Sequence, residues 1–285
     1  MEITAELVKT LRDKTSCGFM DCKKALAQTG GDVEAAVAYL RQKGIAVATK
    51  RGARETSEGT VWAHISPDAQ IGALLEVNCE SDFVAKTPAF QEFGARLAAQ
   101  VAAKEPADLD VLLTQPWQPQ PGITVKDYLS EIIGQVGENI RVRRFCRFAG
   151  GLVTAYIHHG GKIGVLLELS ASAAPETAAA GKDLAMQVAA ANPLAVRREE
   201  LDPQTVAQEK AIFEAQAKES GKPEKIIEKM VAGRLEKFYK EACLLEQPYV
   251  KNPDITVAQY LKDISQQIGT PVQVRRFCRF QVGVA

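Results

Sequence analysis

The sequence has little of what catalytic and metal-binding proteins use. Its 285 residues include only 3 His, and its 6 Cys are scattered without a CxxC pair, so a Cys/His zinc site is poorly supplied. No GxxxxGK[ST], GxGxxG, GxSxG or HExxH motif occurs, so the signals of a phosphate loop, a dinucleotide fold, a serine hydrolase and a zinc protease are missing. We expect no cofactor, no metal site and no covalent catalysis.

Net charge and long apolar runs are also missing. Lys+Arg and Asp+Glu number 35 each, and bulk nucleic-acid binding, which needs excess cationic charge, is therefore not expected. No apolar run reaches the ~18 residues of a membrane span. The opening MEITAELVK is amphipathic and carries acids, so we expect neither a signal nor a transit peptide. Scattered thiols favour a cytoplasmic protein with no membrane partner.

An internal repeat is the clearest organising signal in the chain. Residues 123–148 read ITVKDYLSEIIGQVGENIRVRRFCRF and residues 255–280 read ITVAQYLKDISQQIGTPVQVRRFCRF, and more than half of the aligned positions are identical. Upstream, GTVWAHISPDAQIGALLEVN at 59–78 is similar to GLVTAYIHHGGKIGVLLELS at 151–170. The sequence therefore predicts a duplicated core.

The second copy is longer than the first. The segment LAAQVAA at Leu97 aligns with LAMQVAA at Leu184, but the residues that follow in the second copy include an insertion between Pro193 and Ile255. We predict core repeats at 59–150 and 151–285.

Each repeat is predicted to be an α+β unit with the order β-β-α-α-β. In the first copy, β-rich runs at 59–65 and 70–78 flank the hairpin signal Ser66-Pro67-Asp68. Residues 89–104 carry apolar side chains at helical spacing. Thr124 is a candidate N-cap for a second helix, and residues 139–148 form a candidate closing strand. Antiparallel strands with helices on one face give an α+β fold.

The insertion has a different character, because both of its segments are helical in composition. Residues 204–219 and 223–243 flank Ser220-Gly221-Lys222-Pro223, and the second segment carries one apolar stripe. We predict an antiparallel helical hairpin, or coiled coil, over 203–245. A hairpin with so little core of its own is expected to touch a partner or to dimerise.

Residues 1–45 are predicted to form a three-helix module that resembles a ubiquitin-associated bundle. Thr4 is a candidate cap for the first helix, Ser16-Cys17-Gly18 breaks it, a second helix runs from Asp21 to Gln28, and Asp32 caps a third. Residues 46–58 are polar and without periodicity, so we predict a linker.

Two motifs have both a functional and a structural interpretation. His158 and His159 could be metal ligands, but adjacent side chains point apart in an extended chain, which favours a turn beside Gly160. The RRFCRF runs at 143–148 and 275–280 could bind nucleic acid through cationic and aromatic groups. They occur in both repeats, and strand alternation turns their Phe side chains towards a core, so a structural role is favoured.

The segment NCESDFVAK at 78–86 is the most unusual stretch. It follows a predicted strand and precedes a predicted helix, and the second copy has lost it. A feature present in one copy of a duplication is not needed to make the fold. A strand-to-helix corner could project Phe83 as a wedge from a rigid support, although Phe83 could equally be a core residue and Asp82 a turn cap.

These residues carry a resemblance to the bacterial elongation factor Ts family. ITAELVKTLRDKTSCGFMDCKKAL and GGDVEAAVAYLRQKG resemble its N-terminal module, and EVNCESDFVAK resembles its signature. AYIHHGGKIGVLLE and SGKPEKIIEKMVAGRLEKFYKE resemble its later motifs, so the similarity runs from residue 1 to about residue 283.

The resemblance implies guanine-nucleotide exchange in translation elongation. Family members bind elongation factor Tu in its GDP form, promote release of GDP and Mg²⁺, and allow GTP to load. The positions that match their partner contacts are a corner pair with its neighbours, an apolar patch of the N-terminal module, and part of the second repeat: Asp82, Phe83, Val84, Lys86; Leu11, Phe19, Met20; His158, Met186. The hairpin matches the family's coiled coil, with a homodimer or a 2:2 complex possible.

Two other classes remain open at this point. The chain could be a non-catalytic protein–protein adaptor with a dimerising hairpin, which leaves the Asp82-Phe83 corner without a use. It could bind RNA through the RRFCRF strands, which the zero net charge argues against.

Overall fold

A computed structural model describes residues 3–15, 17–219, 221 and 223–284. The helices are α1 Ala5–Thr15, α2 Phe19–Gln28, α3 Val33–Arg51, α4 Asp82–Ala85, α5 Pro88–Lys104, α6 Leu109–Thr114, α7 Val125–Val136, α8 Pro175–Ala191, α9 Pro203–Lys218, α10 Glu224–Ala242 and α11 Val257–Ile268. The strands are β1 Glu58–Ile65, β2 Ile71–Cys79, β3 Ile140–Ala149, β4 Leu152–His158, β5 Ile163–Leu169, β6 Pro248–Tyr249, β7 Asn252–Thr256 and β8 Val274–Gln281.

Two three-stranded antiparallel sheets form the centre of the molecule, so the α+β class is confirmed. One sheet has the order β1-β2-β3 and the other β4-β5-β8. The predicted hairpin at 59–78 is confirmed, with Ile65 opposite Gly72 across the turn. Each sheet packs one face against helices, α5 and α7 on the first sheet and α8 and α11 on the second. This helix-covered face is where most of each apolar core lies.

The other faces of the two sheets pack against each other, which the sequence analysis did not foresee. Their shared core contains buried apolar side chains from both sheets: Val61, Leu74, Phe148, Val153, Leu166, Phe280. Gly72 on β2 and Gly164 on β5 allow the close approach. A Cβ atom at Gly72 would lie 2.6 Å from Val153 Cγ1, and one at Gly164 would lie 2.4 Å from Val61 Cγ1.

Reciprocal arginine contacts cross this sheet-to-sheet interface. The buried carboxylate of Glu76 pairs with Arg144 at 2.8 Å, and that guanidinium lies 4.6 Å from the ring centroid of Phe280 on the other sheet. In the matching contact, Glu168 pairs with Arg276 at 2.7 Å, and Arg276 lies 4.4 Å from the ring of Phe148. The predicted structural role of these Arg and Phe residues is confirmed for these pairs.

The N-terminal helices pack around a small core of their own. It contains Val8, Leu11, Cys22, Ala25, Leu26, Ala36 and Leu40. Asp32 caps α3 as predicted, because its carboxylate accepts hydrogen bonds from the amides of Glu34 and Ala35 at 2.9 and 3.0 Å. The break at Ser16-Cys17-Gly18 lies between α1 and α2, and Ser16 is outside the described residues.

The predicted linker at 46–58 is wrong for its first part, because α3 continues to Arg51. Val47 and Ala48 pack against the core of the first sheet, and this contact extends the helix beyond the residues whose periodicity was visible. Two glycines let α3 lie against α7. A Cβ atom at Gly134 would lie 2.8 Å from the Cα of Gly44, so the two helix backbones nearly touch.

The predicted order β-β-α-α-β is incomplete. The first unit also contains the short helices α4 and α6, and the second contains the two-stranded β6–β7 sheet. Four residues of α4 and six of α6 are too few to show a helical period. Thr124 does cap α7, in a capping box in which the Asp127 carboxylate in turn accepts a hydrogen bond from the Thr124 amide.

The inserted segment folds as two helices, α9 and α10. Val231 is buried between them, whereas Ile212 and Ile226 are exposed. Arg198 fixes the base of the hairpin through a bidentate pair with Glu236 at 2.9 and 2.8 Å, and its guanidinium lies 4.4 Å from the ring centroid of Tyr239. Of the predicted turn Ser220-Gly221-Lys222-Pro223, Ser220 and Lys222 lie outside the described residues.

Across the part of the chain that the structure describes, no helix combines the length and apolarity that a bilayer crossing requires. All six cysteines are free thiols.

Gly134→Ala is expected to lower the melting temperature measured by circular dichroism. Alanine is favoured over glycine in a helix interior by about 1 kcal/mol, but the added methyl group would have to displace the α3 backbone at Gly44. The matched control is Gly233→Ala in α10, where nothing lies within 4 Å of the added Cβ. This second variant is expected to be neutral or stabilising. Equal effects of the two variants would show that the α3–α7 contact is not tight.

Candidate functional site

The segment singled out in the sequence forms a tight corner between β2 and α5. The strand ends at Cys79, and Ser81 begins the short helix α4 by accepting a hydrogen bond from the Val84 amide at 3.4 Å. Thr87 then caps α5, which starts at Pro88. Two capped helix starts within a few residues leave this corner little conformational freedom.

Two carboxylates, Glu80 within the corner and Glu138 just before β3, form hydrogen bonds that join the corner to the start of β3. Glu138 accepts hydrogen bonds from the Ser81 amide at 2.9 Å and from the Ser81 hydroxyl at 2.7 Å. Glu80 accepts one from the Asn139 amide at 2.6 Å and pairs with Arg54 at 3.2 Å. The Asn139 hydrogen bond is the largest cause that lowers the pKa of Glu80. The corner is thus fastened to the start of β3.

Phe83 projects from this corner into solvent, with 80 % of its surface exposed. On the same short helix Asp82 forms an ion pair with Lys86 at 2.6 Å, and this contact lowers the pKa of the Asp82 carboxyl. Val84 points the other way and is buried in the first core. The corner therefore presents an aromatic ring beside an acidic group, on a support that is anchored through Val84.

Leu11 and Val84, two of the predicted partner contacts, are buried in the described structure, and their contact with a partner stays a prediction. Leu11 lies in the core of the N-terminal helices, since it continues the apolar stripe of α1 that faces α2 and α3. Phe19 and Met20, in contrast, are 48 % and 59 % exposed at the start of α2. These two neighbouring residues form an apolar surface patch.

His158 and Met186 lie on the second sheet unit. His158 ends β4, and its Nδ1 is 2.9 Å from the Tyr156 hydroxyl oxygen. Met186 is half-buried on α8. The nine predicted residues thus fall into three groups, on the corner, on the N-terminal helices and on the second unit.

The turn after β4 brings the second unit up to the corner. His159, Gly160 and Gly161 all have positive φ, at 50°, 61° and 96°. A Cβ atom at Gly161 would lie 2.2 Å from Thr60 Cγ2, so the turn packs directly on β1. Lys162, which follows, pairs with Glu58 and helps to lower the pKa of Asp82.

Sequence reasoning missed Glu80, Glu138 and Lys162 as parts of the corner. Glu80 lies inside the NCESDFVAK segment, but its partner Asn139 is far away in sequence. Lys162 lies inside AYIHHGGKIGVLLE and Glu138 inside the repeat at 123–148, but neither pattern indicated that these side chains meet the corner.

Within the described residues no three His, Cys, Asp or Glu side chains are grouped so that they could hold a metal ion. The Cys79 thiol is buried beneath the corner, and burial raises its pKa to about 12, so it stays protonated at neutral pH. The corner thus presents to solvent the Phe83 ring and the Asp82–Lys86 ion pair.

Comparison with known proteins decides the family. A family model described as elongation factor TS matches residues 80–284. The curated elongation factor Ts of Clostridium kluyveri is 45% identical over 284 residues, which is 99% of this chain and 93% of that protein. The chain belongs to the elongation factor Ts family. Elongation factor Ts of Clostridium perfringens, at 45% identity, and of Clostridium novyi, at 43%, cover the same shares of both chains.

Membership of the elongation factor Ts family confirms the resemblance and places the chain in protein biosynthesis, as an elongation factor concerned with guanine-nucleotide exchange. The region that matches the family begins within the corner segment and includes β3, the whole second sheet and the hairpin, whereas β1 and β2 precede it. The N-terminal helices lie outside that region, but the full-length relatives cover them.

Glu80→Gln is expected to destabilise the protein by about 1 kcal/mol near neutral pH, because an amide replaces a carboxylate that accepts a charge-assisted hydrogen bond. The pKa of Glu80 is lowered from its ordinary value of 4.5. Its stabilising contribution is therefore complete above that value and disappears as the pH falls through the lowered pKa. Melting temperatures of both proteins across the acid range should converge at low pH.

Glu55→Gln is the matched control, since Glu55 is exposed and forms no ion pair within the described residues. It should melt like the parent protein throughout. A constant gap between Glu80→Gln and the parent at every pH would contradict the assignment to the carboxylate charge.

Proposed function

We propose that this chain is the guanine-nucleotide exchange factor of elongation factor Tu. In this proposal it binds the GDP form of that GTPase, promotes release of GDP and Mg²⁺, and leaves a complex that GTP resolves. The work takes place in the cytoplasm during translation elongation and involves no covalent chemistry. Family membership supports the partner and the class of activity.

The exposed ring of Phe83 is the observation that carries the proposal. A phenylalanine with 80 % of its surface in water is unfavourable in an isolated protein. Here it stands on a helix of four residues that is capped by Ser81 and fastened through Glu138. A rigidly mounted, solvent-exposed aromatic side chain is suited to insertion between side chains of a partner.

Asp82 and Lys86 flank the ring and are assigned to the same contact. Together with Phe83 they would act at the Mg²⁺ end of the partner's nucleotide site. The charge of the Asp82 carboxylate is already compensated by Lys86 before the partner binds. Binding therefore replaces this ion pair by one with the partner, and the partner surface has to favour that replacement.

Exchange by this mechanism is a linkage effect. Binding of the exchange factor to the GTPase lowers the affinity of the GTPase for GDP. By linkage, bound GDP lowers the affinity of the GTPase for the exchange factor by the same free energy. An acceleration of GDP release by about 10⁴ needs a barrier lower by roughly 5.5 kcal/mol. Burial of one Phe side chain contributes only ~1.5–3 kcal/mol.

Contacts away from the corner therefore have to supply the rest. We assign Phe19 and Met20 to an apolar contact with the GTPase domain, and the His158–Met186 region to a contact with another domain of the same partner. Both Phe19 and Met20 are exposed and apolar. We further propose that the α9–α10 hairpin reaches a third surface or a second copy of this chain, which would give a homodimer or a 2:2 complex.

The proposed domain plan follows the sequence repeat. The N-terminal helices form a ubiquitin-associated-like module that α3 joins to the core, and the two sheet units are copies of one ancestral unit. Equal strand order and the reciprocal Arg–Phe contacts of the two sheets support a duplication.

Release of a fluorescent GDP analogue from elongation factor Tu, followed by stopped flow, tests the proposal. Increasing concentrations of this protein should raise the release rate to a plateau. Binding without acceleration would favour a non-catalytic adaptor, and absence of both binding and acceleration in a folded protein would refute the proposed partner.

Phe83→Ala should slow stimulated GDP release more than tenfold while leaving the melting temperature unchanged, because the ring is exposed and supports no core. Val111→Ala, at an exposed apolar position on α6, is the control and should release GDP like the parent. If Phe83→Ala retains full activity, the wedge role is wrong.

A further inference from the structure

Two sequence-matched arginines cap the ends of two sequence-matched helices. Arg147 on β3 donates from Nε to the carbonyl oxygen of Ala102 near the end of α5, at 2.9 Å. Arg279 on β8 donates from Nε and Nη2 to the carbonyl oxygen of Ala189 near the end of α8, at 3.4 and 3.3 Å. The same device closes a helix in each unit, since cations favour helix C-termini.

The two arginines differ in the hydrogen-bond partner of their Nη1 atom. Nη1 of Arg147 pairs with the Glu105 carboxylate at 3.0 Å. Glu105 is the C-cap of α5 and has a φ of 46°, and the matched C-cap of α8 is Asn192, with a φ of 47°. The backbone is the same at both positions, but the second unit has no carboxylate there.

Arg279 is consequently left without an acidic partner among the described residues. Its Nη2 also donates to Gln281 Oε1 at 3.0 Å, whereas its Nη1 donates no hydrogen bond to them. Burial lowers the pKa of the Arg279 guanidinium, and no carboxylate offsets that effect. Among the described residues no buried side-chain nitrogen is left without a partner, so Nη1 is open to solvent and to a charge-assisted hydrogen bond with an incoming acceptor.

The residues around Asn192 are less charged and more apolar than the matching residues of the first unit. Lys104 and Ala107 of the first unit correspond to Ala191 and Leu194 of the second. Leu194 is 57 % exposed. The helix end of the first unit thus carries Lys104 and a Glu105 that pairs with Arg147. The helix end of the second unit carries the uncharged Ala191 and Asn192, followed by the exposed Leu194.

We propose that Nη1 of Arg279 binds a carboxylate side chain of the partner protein, with Leu194 as the adjoining apolar contact. The proposal rests on the proposed function, which makes that partner elongation factor Tu. A carboxylate is the ligand because Glu105 already supplies one to the matched nitrogen of Arg147. The loss of Lys104 and the gain of Leu194 argue against a phosphate backbone, which favours clustered cations.

Asn192→Glu tests this directly, because the new side chain would occupy the position that the partner's carboxylate needs. Glu105 shows that glutamate is accommodated at this left-handed C-cap. Asn192→Gln is the matched control, since it has the same length without the charge. Affinity for nucleotide-free elongation factor Tu, measured by isothermal titration calorimetry at low salt, should fall about tenfold for Asn192→Glu and stay within about twofold for Asn192→Gln.

A second pair of variants separates charge from fold. In an Arg279→Gln background, Asn192→Glu should cause no further loss of affinity. The melting temperature of the single variant Asn192→Glu should equal or exceed that of the parent. Glu105→Gln, which frees Arg147 in the first unit, should bind like the parent. Equal binding by Asn192→Glu and Asn192→Gln would overturn the inference alone, whereas failure of the parent chain to bind elongation factor Tu would overturn the proposed function and the inference together.

Discussion

The packing of the two sheets depends on two buried carboxylates, one on the inner face of each sheet. Glu76 and Glu168 lie on the central strands, on the side that each sheet turns towards the other. A buried carboxylate is tolerated only when it is paired and hydrogen-bonded. Arg144 and Arg276 supply the pairing, and each also lies over a Phe ring of the opposite sheet. The electrostatic requirement of each sheet is thereby met at the interface with the other.

This arrangement fixes the register between the sheets as well as their contact. Gly72 and Gly164 allow the close approach where they lie on the central strands, because side chains of the facing sheet fill the space where a Cβ would be. Arg144 also donates to the Gln281 carbonyl oxygen at 3.3 Å. Apolar packing alone tolerates sliding, whereas directional contacts of this kind specify a unique alignment.

The sequence predicted the elements that depend on residues close together in the chain, but not the contacts between residues far apart in the chain. Alternation and turn residues identified the β1–β2 hairpin, and capping residues located the starts of α3 and α7. The resemblance grouped Leu11 with Phe19 and Met20, whereas in the structure Leu11 continues the buried apolar stripe of α1 and the other two are exposed. The resemblance supplied the corner residues but did not separate Val84, which anchors it, from Phe83, which projects.

Contacts between residues far apart in sequence had no local signature. Ser81 and Glu138 are joined across most of the first unit, and the packing of sheet on sheet leaves no periodic mark, because a strand buried on both faces simply reads as apolar. The extension of α3 to Arg51 has the same cause, since Val47 and Ala48 owe their helical state to a core formed by other segments.

The rigid sheet pair also explains how contacts that lie apart can act together. Free energy gained at one surface distorts a partner's nucleotide site only if the structure between the two surfaces does not yield. The turn at Gly161 packs on β1 beside the Asp82–Phe83 corner, and β4 and β5 connect that turn to the sheet that carries Arg279. The second unit thus meets the first beside the corner through packed, hydrogen-bonded strands, which is the coupling that the proposed function requires. Features present in both units, such as the paired glutamates, serve this stiffness, whereas features present in one unit, such as Phe83 and the open side of Arg279, remain available for a partner.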